Sequence, residues 1–225
     1  MAGVKANTTQ KVEVKDTYTS YEEMLDDVVA YVLQNVEGAD EYTYLASAEY
    51  SIHSGSTPYD QLFAEIDAGI ASSLYNDVED FGYIGFIEGD FVSLLEEYLS
   101  SFVDAMCFYD NYDYHVEHLD DVFDGVYVDC STYEHYLDHR VEEYADIAGI
   151  SPDELTEEEL SDLSWDFKVE ALTVNLCFSM PARLVYKEYT ENTDLCGCVS
   201  ITFYKQNPVA VLKKLVEEIK NRRGE

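Results

Sequence analysis

The chain has 225 residues, 47 Asp plus Glu against 13 Lys plus Arg and a formal charge of −34, yet 47% of it is hydrophobic, with 20 Tyr and 10 Phe. Acidic disordered segments lack the apolar surface that offsets conformational entropy, so this composition excludes disorder over the whole chain and supplies a sizeable core. It also excludes direct contact with nucleic acid, because like charges repel and no counterions are released, and no apolar run reaches the roughly 18–20 residues of a membrane helix.

The charge is regional. Residues 1–15 hold Lys5, Lys11 and Lys15 against Glu13, residues 16–167 hold 39 acidic residues against Arg140 alone, and residues 168–225 hold nine basic against seven acidic residues. This divides the chain into a basic N-terminal segment (1–15), an acidic region (16–167) and a C-terminal strand-rich module (168–225). From Asp16 to His139 there is no Lys or Arg, so the region cannot neutralise its own carboxylates and folds against self-repulsion.

Taken in order, Ser20 with Glu23 reads as a capping pair that opens a helix whose apolar stripe is Leu25, Val28, Val29, Val32, Leu33 and Val36, ended by Gly38. Residues 42–52 read as a strand, Thr57, Pro58 and Asp60 as a helix start, and 81–87 as a second strand. After Asp90 the stripe Phe91, Leu94, Leu95, Tyr98, Leu99, Phe102, Val103 and Met106 predicts the clearest helix. A strand at 126–130 precedes a helix expected from Thr132 to Ala148, capped by Ser131 with Glu134 and closed by Gly149. Further caps are Ser151 with Pro152 and Glu154, and Thr156 with Glu159. Strands are expected at 169–179, 183–190 and 197–205, and Asn207-Pro208 opens a basic amphipathic helix.

The sum is an α+β fold: an elongated acidic body of alternating short strands and amphipathic helices, followed by a small antiparallel sheet plus helix. The boundary at 167/168 rests on the charge step, although the strand at 169–179 fits the same sheet equally well.

Metal chemistry is a rival reading. His115 and His118, with His135 and His139 at i and i+4 on the expected helix, have ligand-like spacing among carboxylates. Asp120, Asp124 and Gly125 match three positions of a calcium loop, but Val122 and Ser131 stand where two ligands belong. Five cysteines, an odd number without a preceding leader-like segment, point to a reducing cytoplasm, and Cys196-Gly-Cys198 to a tight turn entering a strand. With no Gly-x-Ser-x-Gly, phosphate-loop or dinucleotide motif, the expectation is no catalysis and no cofactor.

An acidic surface free of bases suits imitation of DNA. Thirty-four charges match roughly 58 Å, about 17 base pairs, of duplex, and helix positions i and i+4 sit about 5–6 Å apart, near the phosphate spacing of one strand. The expected phosphate-mimicking set is Glu22, Glu23, Asp26, Asp27, Glu96, Glu97, Asp104, Asp120, Asp121, Glu134, Asp138, Glu142, Glu143, Asp146, Glu157, Glu158 and Glu159. Tyr112, Tyr114, Tyr133 and Tyr136 would add rigid contact area. The alternatives are a metal- or calcium-binding acidic protein, or a salt-adapted chain with an unrelated site, though salt adaptation should reach the two basic ends as well.

The stretch Asp120 to Ile150 (DDVFDGVYVDCSTYEHYLDHRVEEYADIAGI), read as a strand and an acidic Tyr-bearing helix, resembles the later part of ArdA-type antirestriction proteins. Glu49-Tyr50-Ser51-Ile52-His53 is similar to their early part. The resemblance covers the acidic region; the strands and basic helix after Lys168 depart from it. It implies an elongated, often dimeric phage or mobile-element protein that occupies the DNA channel of a restriction–modification enzyme in the host cytoplasm. The departure leaves another defence nuclease, a CRISPR effector or an RNA polymerase open as the target.

Overall fold

A computed structural model describes residues 13–54, 86–107, 114–151, 155–186 and 188–224. The fold is α+β, built on one antiparallel sheet. Its elements in chain order are α1 (Tyr21–Asn35), a 3-10 turn (Ala39–Glu41), β1 (Tyr44–Ser54), β2 (Ile87–Glu88), α2 (Phe91–Cys107), β3 (Tyr114–His118) and β4 (Asp124–Tyr136). A second 3-10 turn (Asp138–Arg140) leads to α3 (Val141–Ala148), α4 (Glu157–Asp166), β5 (Lys168–Tyr186), β6 (Tyr189–Tyr204) and α5 (Pro208–Arg223).

The spatial order is β2-β1-β6-β5, and the far edge of β5 is shared between β4, against Lys168–Ser179, and β3, against Ala182–Tyr186. The long β5–β6 hairpin is therefore the centre of the sheet, with strands of the acidic region on both sides. Residues 168–225 do not form a sheet of their own: the charge step at 167/168 falls inside one hydrogen-bonded structure.

Strand alternation decides which face is dry. Along β5, Leu172, Val174, Leu176, Phe178, Met180, Ala182 and Leu184 are all buried on one face, which α1 and α2 cover with Met24, Val28, Val32, Leu95, Leu99, Phe102 and Met106. Thr173, Asn175, Cys177, Ser179 and Arg183 point the other way and are half-buried. Among the described residues that second face is covered at one end, where α3, α4 and α5 pack Val141, Tyr144, Leu163, Leu212, Val216 and Ile219 on Val169, Ala171 and Tyr204. Gly197 on β6 is required by the first layer: a Cβ there would overlap Met106 Sδ and lie 2.9 Å from Phe102 Cζ.

Three sequence expectations are corrected. The helix expected over Thr132–Ala148 begins only at Val141; Thr132–Tyr136 extend β4 and pair residue by residue with Leu172–Lys168. Thr and Tyr favour a pleated surface, and pairing with the central strand outweighs the helical spacing. The strands expected at 169–179 and 183–190 are largely one strand. Pro181 sits in its middle because its carbonyl accepts from Leu119 N, so its missing N–H would face the same edge, where β4 ends and β3 begins. Cys196-Gly-Cys198 lies within β6 and makes no turn there; Cys198 opposes Cys177 across β5–β6, Cα–Cα 4.1 Å, in a disulfide. The helix start at Thr57, residues 81–85 of the expected second strand, most of the basic N-terminal segment and the Pro152–Glu154 cap lie outside the described residues.

Candidate functional site

α1 and α2 turn their apolar stripes to the sheet, which leaves their acidic residues outward. Ser20 caps α1 by accepting from Glu23 N at 3.4 Å, and Asp90 opens α2 by accepting from Ser93 N at 3.0 Å. The bonds from Ser93 hold the Asp90 carboxyl below the usual carboxylate range. Glu22, Glu23, Asp26, Glu96, Glu97 and Asp104 are exposed and Asp27 is half-buried. The start of α1 and the end of α2 line one cavity together with Asp121. The start of α1 therefore lies near the end of α2, and the β3–β4 connection brings Asp120 and Asp121, both exposed, to that end.

The remaining expected residues lie elsewhere. Glu134 is on β4, Asp138 in the second 3-10 turn, Glu142, Glu143 and Asp146 on α3, and Glu157, Glu158 and Glu159 on α4. The turn and these two helices belong to the layer on the other sheet face. The seventeen carboxylates thus divide between two layers, and the helical row expected from Ser131 through Glu134 and Asp138 does not exist.

Ion pairing separates the two groups further. In the second layer and at the adjoining strand ends, Lys168 holds Glu134 at 2.7 Å, Arg140 holds Glu143 at 2.9 Å, and Arg223 binds Glu159. Arg223, with the capping bonds of Thr156, brings the Glu159 carboxyl down to about 2. His139 lies 3.6 Å from Asp138. On the α1–α2 face the described cation is Lys15, which engages Glu23 and, at 3.8 Å, Asp27. Among the described residues, Glu22, Asp26, Glu96, Glu97, Asp104, Asp120 and Asp121 have no ion-pair partner on that face.

The tyrosines expected to assist are dispersed. Tyr112 lies outside the described residues and Tyr114 is on β3. Tyr133 and Tyr136, 43% and 48% exposed, sit on β4, one bonded to Thr173 Oγ1 at 3.2 Å and the other beneath the Lys168 ammonium. Trp165 on α4 is 75% exposed and Tyr127 on β4 60%; a strand or helix position alone carries no signal for this, and sequence reasoning passed over both.

The histidines have separate partners. His115 meets Glu117 at 3.1 Å, His118 Nε2 donates to Met106 O at 2.7 Å, and His135 Nδ1 and Tyr204 OH share a hydrogen bond of 2.9 Å; burial holds the His135 ring below its ordinary value. His135 is on a strand and His139 in a 3-10 turn, so the shared helix face expected for them is overturned. Among the described residues no three His, Cys, Asp or Glu side chains converge as metal ligands. No helix among them is long and apolar enough to cross a membrane.

No protein-family model, curated protein or solved structure matches this chain.

Proposed function

We propose that the protein is a non-catalytic DNA mimic that occupies the DNA-binding groove of a host defence or DNA-processing protein, a restriction–modification enzyme being the first candidate. The observation that carries this reading is the α1–α2 face. It keeps seven carboxylates without an ion-pair partner among the described residues, while the described cations other than Lys15 that pair with carboxylates do so in the opposite layer and on the strands. Packed helices generally have axes about 8–10 Å apart, a distance of the same order as the roughly 12 Å major groove, so outward carboxylates on α1 and α2 are proposed as counterparts of its two phosphate rows. Within a row, i and i+4 positions such as Glu22 and Asp26 fall about 5–6 Å apart. A basic groove meeting this face gains charge pairs and finds no base to cut or modify.

The layer built by α3, α4 and α5 is less suited to the same role, because Arg140 and Arg223 already occupy Glu143 and Glu159. The test is affinity capture from a bacterial host, comparing the native chain with a variant carrying Glu22→Gln, Asp26→Asn, Glu96→Gln, Glu97→Gln and Asp104→Asn. The expected result is a DNA-binding protein retained by the native chain, lost by the variant, and released as NaCl rises from about 0.05 to 0.5 M. Retention that is indifferent to both the substitutions and the salt contradicts the proposal.

A further inference from the structure

We propose that the outer edge of β4 is a homodimer interface, at which two copies of the chain pair antiparallel about a two-fold axis at Thr132. On its inner side β4 is paired with β5 along Asp124–Tyr136. On its outer side Val126 N donates to Asp16 O, and among the described residues no backbone bond reaches that edge beyond it. Backbone groups alternate between the two sides of a strand. Val128, Cys130, Thr132, Glu134 and Tyr136 therefore also turn their N–H and C=O groups outward, where no described residue meets them. The pairing of Tyr127–Tyr136 with β5 contains no bulge, and the stretch has no proline, lysine or glycine. A long regular edge without such interruptions is a template for another strand.

The occupant that fits this edge is a second copy of it. The free stretch is bounded by Asp16 at Val126 and by the 3-10 turn that opens at Asp138, and its midpoint is Thr132. Pairing about that midpoint sets Val128 against Tyr136, Cys130 against Glu134 and Thr132 against itself, so every outward group of the stretch is used. A slip of one residue sets outward groups against inward ones, and a larger slip leaves outward groups unpaired. Between these pairs, on the other sheet face, Asp129 falls opposite His135 and Ser131 opposite Tyr133. Such non-hydrogen-bonded pairs stand about 4.5 Å apart at Cα, where polar and opposite-charge pairs are favourable and like charges are not. No carboxylate faces a carboxylate in this register, and Glu134 is already held by Lys168 at 2.7 Å. Residues directly opposed share a sheet face, so the α1–α2 layers of both copies lie on one side of the joined sheet. The pairing itself does not rest on DNA mimicry.

The test therefore needs no partner protein. The full chain is followed by sedimentation velocity from about 1 to 300 µM, and backbone amide exchange is read by NMR at both ends of that range. The expected result is a reversible dimer in which the amides of Cys130, Thr132 and Glu134 slow as concentration rises. Those of Ser131 and Tyr133, turned to β5, are slow throughout. Thr132→Lys sets two ammonium groups face to face at the axis and is expected to raise the dissociation constant about tenfold or more. Thr132→Pro removes an outward donor from each copy and is expected to leave a monomer. The Thr132 side chain is exposed, so Thr132→Lys decides the question if the proline variant does not fold, and slow exchange at Ser131 and Tyr133 reports an intact sheet in either variant. A chain that is monomeric at the highest concentration, or a dimer indifferent to the substitutions, overturns the interface. So do Cys130, Thr132 and Glu134 amides that are equally slow at every concentration, because another part of the same chain then covers the edge.

Discussion

At Gly197 α2 presses close on the sheet, and the absence of a side chain there lets Met106 and Phe102 seat on β6. A methyl group must displace one of them, so Gly197→Ala is expected to lower stability by about 1–3 kcal/mol, read as a fall in melting temperature. In a Met106→Ala background the same substitution should cost less, because the closest obstacle is gone. A second residue-level expectation concerns acid. The Glu159 carboxyl is depressed to about 2 by Arg223 and the Thr156 cap, below the roughly 4.3 of an unfolded glutamate. A depressed folded value gives stability that is present above the unfolded value and disappears as pH falls towards the folded one. Urea midpoints measured from neutral pH down to about 2 should show that part of the loss in the native chain and not in Glu159→Gln, whose stability is lower at neutral pH. The Thr156 and Glu159 capping box was legible from residue spacing alone. The partners of His135 and His118 were not, because Tyr204 and Met106 are brought to them only by sheet register and helix packing.

At the scale of elements, what could be read depended on whether local pattern and tertiary pairing agreed. α1 and α2 carry unbroken apolar stripes and use them against the sheet, so cap, stripe and burial coincide. β4 is the contrary case: Ser131, Glu134 and the spacing around Leu137 imitate a helix start, yet the backbone from Thr132 to Tyr136 is claimed by β5. Carbon chemical shifts of Thr132–Tyr136 are expected at extended values, turning helical only from Val141; helical shifts from Thr132 onward would contradict the register. Pro181 falls in the break expected between the strands at 169–179 and 183–190, yet β5 runs through it, and the proline is tolerated there because its edge of β5 lies between the partners β4 and β3.

The whole molecule shows why the acidic region could be recognised as unusual before its arrangement was known. Composition revealed a stretch without bases, but not that Glu134, Glu143 and Glu159 would be neutralised by Lys168, Arg140 and Arg223, while among the described residues the cation on the α1–α2 face is Lys15. Which carboxylates remain free is set by where the chain places its few cations, and that is a property of the fold. The self-repulsion of such a face is a cost to folding that salt should relieve: the melting temperature is expected to rise between about 0.05 and 0.5 M NaCl, through screening. Salt should act on partner binding in the opposite sense, because there the same charges attract.

DNA mimicry is tested most directly by competition. With the captured partner bound to immobilised native chain, duplex DNA of about 17 base pairs, the length matched by the total charge, is titrated at fixed salt. Mimicry predicts that the duplex displaces the partner completely and that partner, duplex and protein never form a ternary complex. A partner that binds duplex DNA and this chain at the same time, each with undiminished affinity, would contradict it.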